Sequence, residues 1–161
     1  MPHSISESDP CGPDALSLLR EAAIEARALY PELHDPTGSW PTNEPTPRRG
    51  AYFVAYNGTQ AVGMGAHRPL DEETTEVRRM YVLRNARRSG LALSILRRIE
   101  ENARAQGFTR LVLETGYRQL PAMKLYESYG FCRVAPFGQY KGDPTSVCYE
   151  KLINQALPGE A

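Results

Sequence analysis

The sequence predicts a single α/β domain with a mixed sheet, in which an antiparallel meander is followed by a βαβ unit. Three strand-like runs make up the meander: residues 51–56, 60–69 and 74–83. An Asn57-Gly58 turn joins the first two runs, and Asn-Gly in that position is a strong hairpin signal. A helix at 90–106 and a strand at 110–115 follow. A strand, a helix and a strand of one sheet require a parallel, right-handed crossover.

The remaining elements flank this centre. Residues 3–6 suggest a short first strand, and the apolar run at 110–115 predicts a strand buried on both faces. We expect a helix at 14–30, capped by Asp14, with its apolar stripe formed by Leu16, Leu19, Ala23 and Tyr30. The later elements are a helix at 119–129, strands at 131–134 and 146–152, and a flexible tail at 154–161. Gly63 and Gly65 predict a bulge or a close approach within their strand.

Length and composition limit the class of protein. The chain has 161 residues, of which 41% are hydrophobic and 24% charged, so we expect one globular domain over 1–161 with its core at about 51–152. No apolar run approaches the length of a membrane span, and the first residues are polar and acidic, unlike a secretory signal. We therefore expect a cytoplasmic protein without a membrane partner.

Cysteine and histidine spacing argues against a metal site or a disulfide framework. Cys11, Cys132 and Cys148 form no CxxC pair, and their odd count does not suit a disulfide scaffold. The surroundings of Cys132 and Cys148 are apolar, which predicts small core residues. The three histidines are isolated from one another, so we expect no metal cofactor.

Charge is unevenly distributed although the net charge is zero. Residues 1–76 hold 5 basic and 12 acidic side chains, whereas residues 77–120 hold 10 arginines and 3 glutamates. A basic middle segment suits an anionic cofactor or nucleic acid. The balanced total makes nucleic acid the less favoured partner.

The stretch from Glu76 to Ala92 has the pattern of a phosphate-binding turn. A β-rich run ends in a basic turn that contains Arg87, Arg88 and Ser89, and Gly90 then opens an amphipathic helix. The first N–H groups of a helix have no partner within it and lie at the positive end of its dipole, so an anion binds there. Glycine allows the close approach, and arginine adds bidentate donors for phosphate oxygens. An ordinary βα connection with solvated arginines is the alternative.

Two separated motifs carry a family resemblance. Arg87-Arg88-Ser89-Gly90-Leu91-Ala92 resembles the acetyl-CoA loop of the GNAT N-acetyltransferases: glutamine or arginine, two free positions, glycine, one free position, then glycine or alanine. Residues 122–131 resemble the second signature of this family, and Tyr126 matches its tyrosine. Many relatives carry asparagine seven positions earlier, where this chain has Gln119. The resemblance covers about residues 51–152.

The resemblance implies a fold and a donor. It implies a sheet splayed between the fourth strand, 74–83, and the fifth, 110–115, with the pantetheine arm of acetyl-CoA in the gap. The implied contacts are the backbone of Met80, Tyr81 and Val82 with the pantetheine, the loop from Arg87 to Ala92 with the pyrophosphate, and the amide of Gln119 with the pantetheine arm. An N–H near Met80 would stabilise the oxyanion of the tetrahedral intermediate.

Acetyl transfer to an amine requires a proton acceptor, and we interpret Glu76 as that general base. It lies eleven positions before Arg87, which is the spacing of the catalytic glutamate in related histone acetyltransferases. Regular alternation would place Glu76, Arg78, Met80 and Val82 on one face of the strand. The alternative is a surface carboxylate paired with Arg78 or Arg79.

A proton donor for the departing thiolate is the second requirement, and Tyr126 is the candidate because its pKa near 10 suits that role. The alternative is a packing tyrosine on an amphipathic helix. Tyr140 is a weaker candidate on the substrate side, and Glu114 and Arg118 remain further options. Direct attack in a ternary complex needs no covalent intermediate.

The acceptor is left open by the sequence. We expect the loops at 31–50 and 136–145 to shape its pocket, with Tyr30, His34 and Trp40 as lining residues or Trp40 as an aromatic tucked onto the core. A small amine or amino acid is the first hypothesis, and a protein lysine or N-terminus is the second. A non-catalytic acyl-CoA-binding sensor is the competing class. Because the family is often dimeric, a homodimer is a further expectation.

Overall fold

The computed structural model describes residues 3–153, and these form a seven-stranded mixed sheet. The strands are β1 Ser4–Glu7, β2 Ala51–Asn57, β3 Gln60–Pro69, β4 Thr74–Val82, β5 Arg110–Gly116, β6 Cys132–Val134 and β7 Ser146–Leu152. Their order in the sheet is β1-β2-β3-β4-β5-β7-β6. The tail predicted at 154–161 lies outside the described residues.

Helices cover both faces of this sheet. They are α1 Pro13–Leu29, α2 Leu91–Ala105 and α3 Leu120–Ser128, and short 3₁₀ turns occupy Pro31–Leu33, Arg84–Ala86 and Gly138–Tyr140. The predicted meander is confirmed, because β2, β3 and β4 pair antiparallel. The predicted βαβ unit is confirmed as well, because β5 returns through α2 to pair parallel with β4.

The first helix differs from its prediction in its cap and its buried face. Its N-cap is Gly12, with no side-chain capping bond, and the Asp14 carboxylate instead accepts a 2.7 Å hydrogen bond from the Tyr56 hydroxyl. The buried side chains of α1 are Ala15, Leu18 and Leu19, whereas Leu16 is 38% exposed. Ala15 and Leu18 pack on β2 and β3, so this face is fixed by the sheet and not by the sequence stripe.

Two hydrophobic layers hold the sheet. The larger one packs α2 and α3 on one face, with Ile95, Leu96 and Ile99 fully buried at its centre. The smaller one lies under α1 on the other face. The run in β5 is buried as predicted, and Cys148 is buried on β7, but the prediction for Cys132 is wrong: it is exposed on the edge strand β6.

The strands β4 and β5 separate after a short paired segment. Their parallel ladder covers only Thr74–Val77 against Arg110–Leu113, although β4 continues to Val82 and β5 to Gly116. Beyond Val77, therefore, β4 is paired only with β3, and the edge that faces β5 has no strand partner. The predicted splay between the fourth and fifth strands is confirmed.

A β-bulge in β4 lies at this point of separation. Met64 of β3 opposes Tyr81 and Ala66 opposes Arg78, so Arg79 and Met80 together face the single residue Gly65. Arg79 adopts a left-handed conformation with φ 62°, which is strained for a residue with a side chain.

The bulge overturns the predicted alternation along β4. Thr75 and the buried Val77 face α2, and after the bulge Met80 and Val82 also pack in the α2 layer. Glu76 instead contacts Arg68 and Tyr140. The prediction that Glu76, Met80 and Val82 share one face is wrong, because the extra residue of a bulge shifts the alternation by one position.

Gly65 lies opposite the bulge, and the close approach predicted for this glycine is found there. A Cβ atom at this position would lie 2.6 Å from Ile95 Cγ2 and 2.8 Å from Met80 Sδ. Only glycine lets α2 and the bulged strand pack this closely.

Candidate active site

A cleft occupies the gap between β4 and β5. It has a volume of about 170 Å³ and is lined by backbone and side chains of both strands and of α3. Its lining residues include Arg78, Arg79, Met80, Glu114, Gln119 and Tyr126. Because the β4 edge here lacks a strand partner, its N–H and C=O groups are available to an extended ligand.

The turn from Arg87 to Gly90 lies at the end of β4, beside the start of α2. Arg87 Nε donates to the Val82 carbonyl at 2.8 Å, and its terminal nitrogen lies 2.6 Å from Glu25 Oε2 on α1. The guanidinium predicted to bind phosphate is thus held in place by α1 and by the backbone of β4. The Val82 carbonyl, one of the groups predicted to contact pantetheine, has Arg87 as its partner.

The other residues of this turn leave its backbone open. Arg88 and Gly90 both adopt left-handed conformations, with φ 63° and 80°, and no atom lies within 4 Å of a Cβ built on Gly90. The Ser89 hydroxyl donates to the Ala86 carbonyl at 2.7 Å, which closes the turn. Gly90 is the N-cap of α2 without a side-chain cap, so the helix start keeps the geometry of an anion site.

Three of the predicted donor-binding residues have their side chains elsewhere. Leu91 is buried in the core and Ala92 packs against it, so only their backbone N–H groups can face a ligand. Tyr81 packs on the α1 side of the sheet, with the Arg87 guanidinium 5.6 Å from its ring centre. The packing of these three residues decides which of their groups can face a ligand.

Tyr126 and Gln119 project from α3 at the cleft. The Tyr126 ring is buried, packing against Phe131 and Tyr149 at ring-centre distances of 5.8 and 6.2 Å. Every fully buried side-chain oxygen or nitrogen of residues 3–153 has a hydrogen-bond partner. The Tyr126 hydroxyl has no such partner, so it is not fully buried, and it is accessible from the cleft that Tyr126 lines. Burial, with a smaller contribution from Glu114, raises the pKa of this phenol. Gln119 is exposed at the N-cap of α3.

Glu76 is enclosed by partners from two other elements. Its side chain is 3% exposed, its Oε2 accepts a 2.7 Å bond from the Tyr140 hydroxyl, and its Oε1 lies 3.3 Å from an Arg68 nitrogen. The predicted structural partners Arg78 and Arg79 are therefore wrong, and Arg68 takes that place. Burial, followed by the bond to Glu76, raises the pKa of Tyr140 to about 12.

Glu114 is a second carboxylate in the cleft. It accepts a 2.7 Å hydrogen bond from the Ser146 hydroxyl. Burial is the main cause that raises the pKa of its carboxyl, and the charges of Asp143 and Glu76 add to it. No sequence motif marks Glu114. It lies in the cleft because β5 diverges from β4 before this residue.

A larger cavity of about 400 Å³ adjoins the cleft. Residues 42–47 of the proline-rich loop form one wall, and Tyr52, Ala66, Arg68 and Gln139 contribute elsewhere. Arg78 and Arg79 line both the cleft and this cavity, so the two spaces meet at the bulge.

The loop residues singled out from the sequence do not line this cavity. Trp40 lies between the guanidinium groups of Arg20 and Arg27, which are 4.3 and 3.7 Å from its ring centre. The Tyr30 hydroxyl accepts a 2.8 Å bond from the backbone N–H of Arg118. His34 is exposed. Of this loop, residues 42–47 line the cavity. The part around Trp40 packs against α1 instead.

A metal site and a membrane-spanning helix each need a recognisable arrangement of residues, and neither is found in residues 3–153. No group of three or more histidine, cysteine, aspartate or glutamate side chains in this range has the arrangement of a metal site. None of the helices in the same range has the length and apolar character needed to cross a membrane.

A sheet opened between its fourth and fifth strands, with a glycine turn at a helix start and a tyrosine over the gap, defines the class of acyl-CoA-dependent transferases. The family model described as the acetyltransferase (GNAT) family matches residues 17–131. The chain belongs to the GNAT acetyltransferase family and is an acetyl-CoA-dependent acetyltransferase.

Relatives and solved structures agree with this family. The chain is 39% identical over 104 residues to an uncharacterised N-acetyltransferase, YsnE, of Bacillus subtilis, covering 63% of this chain and 69% of that protein. It is 41% identical over 104 residues to the IAA acetyltransferase of Azospirillum brasilense, covering 63% and 67%.

Two crystal structures share the fold. A protein of Klebsiella pneumoniae, provisionally named an acyl-CoA N-acyltransferase, superposes with a TM-score of 0.78 at 27% identity, covering 94% of this chain and 98% of that one. A GNAT family acetyltransferase of Elizabethkingia anophelis with acetyl-CoA bound superposes with a TM-score of 0.66 at 18% identity, covering 94% and 98%.

Proposed function

We propose that the protein acetylates the primary amine of a small molecule, and that the amine attacks the acetyl thioester directly in a ternary complex. The meeting of the cleft and the cavity at Arg78 and Arg79 carries this proposal. A donor in the cleft and an acceptor in the cavity would reach each other there without a covalent carrier. None of the three cysteines lines either space, which supports direct transfer.

The size of the acceptor space favours a small molecule. About 400 Å³ is within the usual range of small-molecule pockets, and residues 42–47 form one wall of the cavity. The name of the Azospirillum relative, an IAA acetyltransferase, also points to a small acceptor. A protein lysine or N-terminus remains the second candidate.

Glu76 is the proposed proton acceptor, acting through Tyr140. An alkylammonium with a pKa near 10.4 is only about 0.04% neutral at pH 7, so removal of its proton is a requirement of the reaction. Glu76 lines neither space, but the Tyr140 hydroxyl that donates to it is half-buried beside Gln139 of the cavity wall. The amine would give its proton to the Tyr140 oxygen while the Tyr140 proton moves to Glu76.

Tyr126 is the proposed proton donor. As the new C–N bond forms and the C–S bond breaks, the electron pair leaves on sulfur, and the Tyr126 hydroxyl would give that thiolate its proton. The unpaired β4 edge near Met80 would supply the N–H that stabilises the oxyanion. In the open turn, the backbone from Arg87 to Ala92 would bind the pyrophosphate, with Arg87 beside it, and Gln119 would bind the pantetheine arm.

Glu114 is the competing base, because its raised pKa brings a carboxyl nearer to neutral pH. Separate Glu76→Gln and Glu114→Gln variants distinguish the two. The base variant should lose about 10²- to 10⁴-fold in kcat while it keeps acetyl-CoA affinity. The other variant should retain its kcat.

The whole proposal is tested by incubating the protein with acetyl-CoA and a panel of primary amines, following thiol release and product mass. Initial-rate lines that intersect support the ternary complex, whereas parallel lines indicate a covalent intermediate and overturn direct attack. If acetyl-CoA binds but no amine in the panel is acetylated, the small-amine proposal fails and the sensor class is favoured.

A further inference from the structure

The acceptor cavity contains an excess of positive charge. Arg68, Arg78 and Arg79 line it, whereas Glu44 is its only lining carboxylate and is exposed. Glu76 lies behind Arg68 and is already engaged by Arg68 and Tyr140. A cavity with this balance attracts anions and repels a simple dication or polyamine.

Two of the three arginines keep free donors. Neither Arg78 nor Arg79 forms an ion pair with any residue of 3–153. Arg79 Nε donates to Asn43 Oδ1 at 2.9 Å, which leaves the two terminal nitrogens of the guanidinium unused. A guanidinium fixed at Nε presents a planar pair of donors that matches a carboxylate bidentately.

Asn43 is itself held firmly. Its Nδ2 donates to the Pro10 carbonyl at 2.8 Å and to the Tyr52 hydroxyl at 3.2 Å. The amide is therefore oriented by two independent elements, and its oxygen is fixed toward Arg79. This chain of contacts orients the guanidinium before any ligand binds.

The backbone of Arg79 also adopts an unfavourable conformation. Its φ of 62° belongs to the left-handed region, which is unfavourable for a residue with a side chain. Burial and the nearby charges of Arg78 and Arg68 lower the pKa of this guanidinium, which means that its positive charge is held in an unfavourable environment. An anion between these arginines would relieve the repulsion.

We propose that the acceptor is a small primary amine that carries a carboxylate, and that Arg78 and Arg79 bind this carboxylate while the amine faces the cleft. This inference rests on the proposed function and defines the substrate class of its acceptor site. The same cationic pair would accept a phosphate monoester, so the experiment separates the two acidic groups.

Matched substrates test the proposal with the full chain. Amino acids such as β-alanine and L-aspartate are compared with their amides and with amines that lack the acid, and phosphoethanolamine is compared with ethanolamine. The carboxylates should exceed their neutral partners by about 10- to 100-fold in kcat/KM, since a hydrogen bond to a charged group contributes roughly that factor. Equal rates for the acids and their amides would overturn the proposal. A preference for the phosphate alone would also overturn the choice of carboxylate.

Variants assign the selectivity to residues. Arg78→Gln and Arg79→Gln should each raise KM for the acid by a much larger factor than KM for the amide. Asn43→Ala should do the same more weakly, because it removes only the contact that orients Arg79. Arg97→Gln, which removes an exposed charge on α2, is the matched control and should behave as wild type. Selectivity that survives in both arginine variants would overturn the assignment.

A binding measurement separates failure of this inference from failure of the transferase proposal. The probes are an N-acetylated amino acid and its amide, measured by calorimetry in the presence of CoA. Arg78-dependent binding of the acid without turnover of any amine would support the anion site and overturn the proposed reaction. Turnover of amines with no preference for the acid would support the reaction and overturn the anion site.

Discussion

The Tyr140 hydroxyl donates a 2.7 Å hydrogen bond to Oε2 of Glu76, 64 residues away in the chain. Glu76 lies within the short segment in which β4 pairs with β5, and Tyr140 ends a 3₁₀ turn in the loop before β7. This contact joins a buried carboxylate to a turn whose Gln139 lines the larger cavity. Under the proposed function, Tyr140 would give Glu76 a route to the substrate that the Glu76 side chain itself lacks.

Replacing Tyr140 tests that route. We expect Tyr140→Phe to lower kcat by on the order of 100-fold, because the proton relay is broken, and to leave the KM for acetyl-CoA unchanged. Steady-state kinetics with the best amine of the panel measure both parameters. Tyr117→Phe, which alters an exposed tyrosine outside both spaces, is the control. An unchanged kcat in Tyr140→Phe would show that the proton takes another path.

The Tyr126 hydroxyl is expected to matter for rate and not for stability. Since it has no hydrogen-bond partner within residues 3–153, Tyr126→Phe should keep the wild-type Tm and lower kcat by on the order of 100-fold. Tyr149→Phe gives the opposite pattern, because the Tyr149 hydroxyl donates to Glu127 at 2.7 Å outside the cleft. The Tyr149→Phe variant should have a lower Tm and an unchanged kcat. A large loss of Tm with full kcat in Tyr126→Phe would assign that residue to packing.

If Arg87 binds the pyrophosphate as proposed, its ion pair with Glu25 would compete with that contact. The pair is 2.6 Å long and both side chains are partly exposed, so its release is worth at most about 1 kcal/mol. We expect Glu25→Gln to lower the Kd for acetyl-CoA by up to about 5-fold at low salt, and Arg87→Gln to raise it. Calorimetry measures both values, with Glu101→Gln as a control that removes an exposed acid elsewhere. Weaker binding in Glu25→Gln would indicate that Glu25 positions Arg87 for the phosphate.

His67 should make the fold sensitive to mild acid. It is 2% exposed between Thr75 and Asn102, and burial lowers its pKa below the ordinary 6.5. The unfolded chain therefore takes up this proton first, and the stability contributed by neutral His67 is lost as pH falls below 6.5.

Thermal unfolding between pH 7.5 and 5 measures this loss. His67→Gln should be less stable at pH 7.5 but flatter across the range, whereas His34→Gln, at an exposed position, should keep the wild-type slope. If His67→Gln kept the full slope, another group would have to account for it.

Replacement of Gly65 should destabilise the fold and disturb the cleft. Gly65→Ala places a methyl group 2.6 Å from Ile95 Cγ2 and 2.8 Å from Met80 Sδ, and such overpacking costs about 1–3 kcal/mol. Because Met80 must move, we expect weaker binding of acetyl-CoA as well. Gly58→Ala is the control: its φ of 63° strains an alanine, but it has open space and lies far from the cleft. Equal acetyl-CoA affinities in the two variants would show that Gly65 does not influence acetyl-CoA binding.

The sequence by itself predicted the meander and the βαβ unit around the cleft, and it singled out residues 87–92 as the candidate donor loop. Hairpin, crossover and the two motifs at 87–92 and 122–131 are local patterns, and local patterns constrain backbone conformation within a few residues. Gly90 at the start of α2 and Tyr126 at the cleft were placed in this way. Local patterns did not predict which face α1 buries or which side chains of the turn are available, because both depend on packing partners.

Only the tertiary structure decided how the acceptor side is built. The bulge at Arg79 reverses the alternation that a regular strand would have, and it turns Arg79 toward Asn43, 36 residues earlier. Tyr140, Glu114 and Arg68 reach the site from three different elements. Contacts between residues this far apart depend on strand register and loop closure, which no local pattern in a single sequence records.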